Sequence, residues 1–265
     1  MIKGVANPRR YGRPPFDVIV VHGGPGAPGE MVPVARELSV TRGVLEPLQT
    51  ANSLEGQVDE LGLIIEKNAD SPVILIGWSW GAWLSLMVAA RSPWLVRKLI
   101  LIGSGPFEER YSSTIMKTRL ERLGEEEREE VLSIIEGLND PSEDNKDEKM
   151  SRLGSLISKA DSYLPVSHDD EVVQTSYDIY RRVWSQAEEL RKSGMLLEIA
   201  ASVQCPVVAI HGDYDPHPPE GVRESLSRVL QDFRFVLLKN CGHQPWIEKM
   251  ARDRFFDILG TEADR

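Results

Sequence analysis

Short runs of apolar, mostly β-branched residues recur along the chain and predict the strands of a sheet. Six such runs are found, at residues 16–21, 42–48, 72–77, 96–103, 206–212 and 233–238. Each run is continuous rather than alternating with polar positions, which is typical of strands buried on both faces of a parallel sheet. The pattern therefore predicts an open, mainly parallel sheet of about six strands.

Segments with the spacing of amphipathic helices separate these strands. They lie at residues 30–39, 53–68, 80–92, 219–230 and 245–259. Ser53 begins the second segment and is a suitable N-cap, because its hydroxyl can accept a backbone N–H of the first turn. The alternation of strands and helices predicts a doubly wound α/β fold.

Residues 107–193 interrupt this alternation, because they contain no convincing strand. Helical spacing continues there instead, at residues 125–138, 149–164 and 171–194. The polar, charged stretch 139–148 is rich in turn-forming residues, and we expect it to be a mobile connection. A segment this long between two strands of one sheet predicts an inserted helical cap. The predicted domains are therefore a core of residues 1–106 and 194–265 and a cap, or lid, of residues 107–193.

The composition excludes several classes of partner. The chain has 265 residues, 41% of them hydrophobic, with a net charge of −10 and a pI near 5.1. An acidic chain of this kind is a poor match for nucleic acid or an anionic membrane, and it has no signal-peptide core and no apolar stretch long enough to span a bilayer. Cys205 and Cys241 fall at opposite ends of neighbouring strands, too far apart for a disulfide. We expect a cytoplasmic protein.

One serine lies between two glycines at the junction of a predicted strand and a predicted helix. Ser79 has Gly77 two residues before it and Gly81 two residues after it. If the chain reverses sharply there, side chains at both flanking positions would clash, and glycine leaves the serine hydroxyl exposed as a nucleophile. The alternative is a glycine-rich turn in which Ser79 is only a helix N-cap.

A serine nucleophile needs a base that is held by an acid, and the chain offers both after its last two predicted strands. His243 follows the sixth strand and is the predicted base. Asp215 and Asp213 both follow the fifth strand. We favour Asp215 as the acid, because it lies deeper in the loop, whereas Asp213 suits a turn that is stabilised by its own backbone. The order Ser, Asp, His at the carboxyl ends of strands is typical of one class of serine hydrolase.

Hydrolysis also needs donors for the oxyanion that forms on attack. The backbone N–H of Trp80 is one candidate, and that of Gly24, in the loop after the first predicted strand, is the second. A phosphate cradle is the rival interpretation of this loop, but the loop lacks the lysine and the glycine spacing of the known motifs. His211 and His217 lie near the same edge, yet they lack the spacing of a known metal site, so no metal and no cofactor are predicted.

These motifs together resemble the α/β-hydrolase superfamily over essentially the whole chain. HGGPG at 22–26 and GWSWG at 77–81 are similar to the proline iminopeptidase branch. The resemblance implies an oxyanion hole at Gly24 and Trp80. It also implies a cap acid that binds the substrate amine, for which Glu188 in WSQAE is the candidate, although a glutamate on a solvated helix face is the alternative. The chain departs from the branch at 46–53, which lacks the usual Asp-Gln-Arg-Gly stretch, and its N-terminal strands are predicted to be missing or reduced.

Three functions follow from these observations. The first is a serine hydrolase that cleaves a carboxylic ester or amide through an acyl-enzyme. The second is an aminopeptidase of the proline iminopeptidase type, and the third is a non-hydrolytic lyase or ligand-binding protein on the same fold. In each case the expected partner is a small molecule, an ester, an amide or a short peptide. We expect the cap aromatics Tyr111, Tyr180 and Trp184 to contact it. The oligomeric state is not predicted.

Overall fold

The computed structural model describes residues 6–166 and 175–264 and contains one seven-stranded sheet. Its strands are β1 Arg9–Tyr11, β2 Phe16–Val21, β3 Gly43–Glu46, β4 Val73–Trp78, β5 Val96–Ile102, β6 Val207–Gly212 and β7 Phe233–Leu238. The spatial order is β1-β3-β2-β4-β5-β6-β7. All neighbouring pairs are parallel except β1 with β3, which is antiparallel. The predicted α/β class and parallel sheet are confirmed.

Helices cover both faces of the sheet. They are α1 Val32–Leu38, α2 Leu54–Asn68, α3 Trp80–Arg91, α4 Ile115–Arg122, α5 Glu125–Asn139, α6 Lys146–Asp161, α7 Tyr177–Lys192, α8 Met195–Ala200, α9 Glu220–Ser227 and α10 Arg252–Asp264. Helices α1 and α10 pack on one face, and α2, α3, α8 and α9 pack on the other. The two resulting cores explain why the central strands are mostly apolar on both faces. Ser53 caps α2, because its hydroxyl accepts the Gly56 N–H at 3.1 Å.

A helical insertion, α4 to α7, lies between β5 and β6. Part of it has its own apolar cluster, formed by Leu123, Val131, Ile134, Leu138, Leu156 and Ala160. It also packs on the core, where the ring of Trp184 stacks on that of Trp83 at 5.7 Å between centroids. The insertion is the predicted helical cap, while the boundaries at residues 107 and 193 stay a prediction.

The structure corrects two details of the predicted elements. The helix predicted at 245–259 begins only at Arg252, because Pro245–Ile247 forms a short 3₁₀ turn and Glu248 is extended. The sheet has seven strands because β1, a three-residue edge strand, precedes β2. The predicted helix at 171–194 corresponds to α7, and residues 171–174 lie outside the described residues. Within residues 6–166 and 175–264, no helix has the length and apolar character of a membrane span.

Candidate active site

Ser79 occupies a strained turn between β4 and α3. Its φ is +53° and its ψ is −117°, a left-handed backbone conformation that residues other than glycine rarely adopt. The Ser79 N–H donates to the Ile102 carbonyl of the neighbouring strand at 2.9 Å, which holds the turn against β5. The strain is therefore imposed by the sheet on one side and the helix on the other. This strained strand–turn–helix, called the elbow below, is the turn that the glycine pattern at 77–81 predicts.

The glycines on either side of Ser79 are required by close backbone contacts. A Cβ on Gly77 would collide with the backbone of Gly81, and a Cβ on Gly81 would collide with the carbonyl oxygens of Val21 and His22. Each collision involves main-chain atoms, which cannot move without displacing β2 or α3. The sequence pattern thus reports a real steric constraint on the turn.

His243 and Asp215 meet in the loops that follow β7 and β6. His243 Nδ1 lies 2.7 Å from Asp215 Oδ2, and both side chains are buried. The loop of His243 is held from two sides: the indole Nε1 of Trp78 donates to its carbonyl oxygen at 2.9 Å, and its own N–H donates to the Asp161 carbonyl at 2.9 Å. His243 is therefore positioned by β4 and by the end of α6.

Asp215 has a second imidazole partner that the sequence did not predict. The N–H and the Nδ1 of His217 both lie against Asp215 Oδ1, at 2.9 and 2.7 Å. Burial opposes ionisation of Asp215, but the neighbouring imidazoles of His243, His217 and His211 hold its pKa well below the usual value. Burial lowers the pKa of His217 to about 4, against the opposing effect of Asp215. At neutral pH the structure thus contains an ionised carboxylate beside a neutral His217.

The alternative acid, Asp213, lies apart from His243. Its Oδ1 accepts the Cys241 N–H at 3.3 Å, and its Oδ2 lies 3.5 Å from the ammonium of Lys239. Its own N–H donates to the Leu238 carbonyl at 2.9 Å. These contacts tie the end of β6 to the end of β7, which is the role of a turn-stabilising aspartate.

The two groups predicted to bind an oxyanion come from different parts of the fold: Gly24 lies in the loop after β2, and Trp80 begins α3. Gly24 has a φ of +37° and lines the same cavity as Ser79 and Trp80. Trp80 begins α3, so its N–H is one of the first-turn donors that have no partner within the helix. The far end of the loop is tied to the cap, because the Ser176 N–H donates to the Gly26 carbonyl at 2.8 Å.

One cavity of about 250 Å³ brings these groups together. Gly24, Ser79, Trp80, His217 and His243 line its floor. The cap contributes a mostly apolar wall that includes Met116, Met150, Leu153, Ile157, Tyr180 and Trp184. The core adds Pro25, Glu30, Trp78 and Gln244 to the lining. The residues of α6 in this wall are three or four positions apart, so a single face of that helix covers the floor.

A partly buried ion pair in the cavity wall was missed by sequence reasoning. Arg119 of α4 binds both oxygens of Asp161 at the end of α6, with its Nε at 2.8 Å and one terminal nitrogen at 2.6 Å. The segment around Arg119 is rich in charged residues and was not predicted to be helical. Only the packing of α4 against α6 turns this arginine inward, so no local signal could have revealed it.

The predicted substrate-contacting residues divide into two pairs. Tyr180 and Trp184 line the cavity, as expected of cap aromatics. Tyr111 and Glu188 do not, and this corrects the prediction for both. The Tyr111 hydroxyl donates to Glu224 at 2.8 Å on the outer surface. Glu188 lies 3.7 Å from Arg191 and 3.6 Å from Lys192 along α7. These contacts match the alternative interpretation of Glu188, a glutamate on a solvated helix face.

Comparison with known proteins identifies the family. The sequence profile described as alpha/beta hydrolase family matches residues 18–258, most of the chain. The chain belongs to the alpha/beta hydrolase family. No curated protein sequence matches it. The matched residues include most of β2, all of β3 to β7, the helical insertion after β5 and the elbow at Ser79.

Solved structures agree with this hydrolase fold. VinJ has a TM-score of 0.66 at 18% identity, covering 97% of this chain and 94% of its own. E-2-(acetamidomethylene)succinate hydrolase has a TM-score of 0.64 at 19% identity, again covering 97% and 94%. The proline iminopeptidase of Mycobacterium smegmatis has a TM-score of 0.59 at 16% identity, covering 97% and 93%. Similarities this distant show the fold only.

The buried histidines of this hydrolase predict a loss of stability in mild acid. Burial lowers the pKa of His22 to about 4, as it does for His217. Between the ordinary histidine pKa and 4, the unfolded chain binds protons that the folded chain does not, so the free energy of unfolding falls as pH falls. We expect each histidine to remove about 2 kcal/mol between pH 7.5 and 5.

Denaturant unfolding at several pH values measures this effect. His22→Gln is the informative variant, because its amide can replace both the donor to Gly23 and the acceptor for Gln49. The variant should lose about half as much stability as the wild type over the same pH interval. Equal losses in both proteins would contradict the assignment of His22 as a buried neutral group.

Proposed function

We propose that this chain is a serine hydrolase that cleaves carboxylic esters through an acyl-enzyme on Ser79. The observation that carries the proposal is the shared cavity: Ser79 on its strained elbow, His243 bound to Asp215, and the backbone of Gly24 and Trp80 all border it. Nucleophilic catalysis by serine requires a base near the hydroxyl, an acid that holds the base, and donors for the oxyanion.

The proposed reaction follows from these positions. His243 takes the proton of Ser79 through Nε2 as Oγ attacks the carbonyl carbon, and Asp215 stabilises the imidazolium that forms. The N–H groups of Gly24 and Trp80 bind the negative oxygen of the tetrahedral intermediate. His243 then gives its proton to the leaving group, and a water molecule activated by the same base releases the acid. Ser79 thus returns to its starting state.

The cap wall supports an apolar substrate. Methionine, leucine and aromatic side chains of α4, α6 and α7 dominate the wall of the cavity. Such a wall contributes binding energy by removing apolar surface of the substrate from water. An ester with an alkyl or aryl group of small to medium size matches both the lining and the volume of about 250 Å³.

The aminopeptidase alternative requires an acid that is free to bind the substrate amine. Asp161 is a cap acid that borders the cavity, but Arg119 binds both of its oxygens. Glu188 lies outside the cavity lining, as shown above. These contacts favour an esterase over an aminopeptidase. The assembled Ser, His and Asp also argue against a pure ligand-binding role.

A matched substrate panel tests the proposal. p-Nitrophenyl butyrate and octanoate should be hydrolysed with kcat/KM values at least about 100-fold above those of alanyl and prolyl p-nitroanilides, because the cap wall offers apolar contact and Arg119 already binds both oxygens of Asp161. A preference for the aminoacyl amides, lost when their amine is acetylated, would instead establish the aminopeptidase. Ser79→Ala measured in parallel gives the background rate.

A glycine at the cavity wall tests where the substrate chain lies. Gly154 of α6 lines the cavity, and a Cβ there would meet nothing within 4 Å. Gly154→Leu should raise the KM for octanoate more than that for butyrate, since a leucine side chain occupies the space that the longer chain needs. Gly260→Leu is the matched control, because Gly260 also lies in a helix with open space around it, away from the cavity. Equal effects of both variants on both esters would contradict this placement.

A further inference from the structure

Two imidazoles share the carboxylate of Asp215, and both border the cavity. His243 and His217 contact opposite oxygens of Asp215, each through Nδ1 at 2.7 Å. An ionised carboxylate only accepts hydrogen bonds, so each Nδ1 carries the hydrogen. In a neutral imidazole the other nitrogen, Nε2, then has a free lone pair. The triad requires one such nitrogen, and this chain supplies two.

The spacing of the two rings suits a shared metal ion. Their centroids are 4.6 Å apart and their planes are inclined by 34°. Two imidazoles bound through nitrogen to one tetrahedral Zn²⁺, at about 2.0–2.1 Å each, have centroids about 5 Å apart. One ligand atom from each of Asp215, His217 and His243 also lies within 4.8 Å of the others. The observed centroid separation is thus close to that of two imidazoles bound to one ion.

The contacts around the rings are those of histidine ligands in metalloproteins. Such histidines donate their second ring N–H to a carboxylate, which fixes the tautomer, orients the ring and increases its basicity. Asp215 does this for both rings at once. The Ser79 hydroxyl borders the same cavity, and solvent can supply the remaining ligand. Imidazole ligands favour zinc, nickel and copper over magnesium and calcium, which prefer oxygen.

We propose that Nε2 of His217 and Nε2 of His243 bind one Zn²⁺, or a similar borderline divalent ion, beside Ser79. The bound ion occupies the lone pair with which His243 would take the serine proton, so it inhibits hydrolysis reversibly. The inhibition rests on the proposed function, whereas the metal binding does not. His217 is the residue that makes the site, because a single histidine offers too few ligands.

Metal binding is tested without any activity measurement. The chelator-treated wild type is titrated with ZnCl₂ by calorimetry beside His217→Gln and the control Cys205→Ser, which removes a half-buried free thiol. We expect one equivalent of zinc in the wild type and in Cys205→Ser, with binding weakened at least about 10-fold in His217→Gln. MgCl₂ should give no binding. Equal zinc affinity in wild type and His217→Gln would overturn the proposal.

A second measurement needs no variant. Zinc added to ¹⁵N-labelled wild type should shift the Nε2 resonances of His217 and His243 and leave their Nδ1 resonances hydrogen-bonded to Asp215. Shifts confined to other histidines would overturn the site. In the activity assay, zinc should lower the rate of ester hydrolysis and EDTA should restore it. Zinc binding at His217 with no loss of rate would overturn the inhibition. A wild type without esterase activity would count against the proposed function alone.

Discussion

Replacing Asp215 by asparagine is expected to lower kcat by about 10⁴-fold while the fold is retained. The carboxylate accepts the hydrogen of His243 Nδ1 at 2.7 Å and is also bound by the N–H and Nδ1 of His217. An asparagine amide placed there donates to Nδ1 and moves the ring hydrogen to Nε2. His243 then has no lone pair for the proton of Ser79.

Asp213→Asn is the matched control for this variant. Asp213 lies two residues from Asp215 and follows the same strand, but its contacts are with Cys241 and Lys239. We expect its kcat to remain close to the wild-type value. Steady-state kinetics on one ester, together with thermal unfolding of both variants, make the comparison. A large loss of kcat in Asp213→Asn with none in Asp215→Asn would reverse the assignment of the acid.

The second large effect concerns the elbow itself. Gly81→Ala places a Cβ against the carbonyl oxygens of Val21 and His22, which belong to β2 and to the loop that follows it. Relief of that collision requires α3 to move away from the sheet. We expect the free energy of unfolding to fall by about 3 kcal/mol or more, with low soluble yield.

Gly62→Ala shows what the same chemical change does without a collision. Gly62 lies within α2, where an added Cβ would meet nothing within 4 Å. Alanine there should stabilise the protein by about 0.5–1 kcal/mol, because it restricts the unfolded chain and favours the helix. Denaturant unfolding of both variants gives the two values. A Gly81→Ala protein as stable as the wild type would show that the elbow is not sterically constrained.

The parts of the fold with a strong local signal were predicted correctly. The mostly apolar runs became β2 to β7, since strands inside a parallel sheet bury side chains on both faces. β1 was missed, because an edge strand of three residues that includes Arg9 and Arg10 has no apolar pattern. The helix at 245–259 was placed too early. Trp246 and Ile247 are instead buried in a 3₁₀ turn, where the Trp78 ring packs against Trp246 at 5.1 Å.

The predicted site residues also divide into those at strand ends, which the order of elements brings together, and those in the cap. Ser79, Asp215, His243 and Gly24 each follow the carboxyl end of a strand, and in a parallel sheet those ends meet at one edge. Their proximity could therefore be inferred from the order of elements alone. The direction in which a cap helix faces depends on tertiary packing. This is why Tyr111 and Glu188 were assigned to the cavity in error.

His217, Arg119 and Asp161 show the limit of sequence reasoning within the cavity. No metal-binding spacing surrounds His217 in the sequence, so the local pattern predicts no role for it. Its partner His243 follows a different strand, and only the fold brings their rings to 4.6 Å. Arg119 and Asp161 come from different cap helices whose contact has no trace in the local pattern.

The most direct test of the central claim is labelling with a fluorophosphonate followed by intact mass. Such probes react with a serine only when a base activates its hydroxyl. We predict one adduct on the wild type, none on Ser79→Ala, and strongly slowed labelling of Asp215→Asn, with Asp213→Asn labelled at nearly the wild-type rate. An unlabelled but folded wild type, or an adduct that persists in Ser79→Ala, would contradict the assignment of Ser79 as the nucleophile.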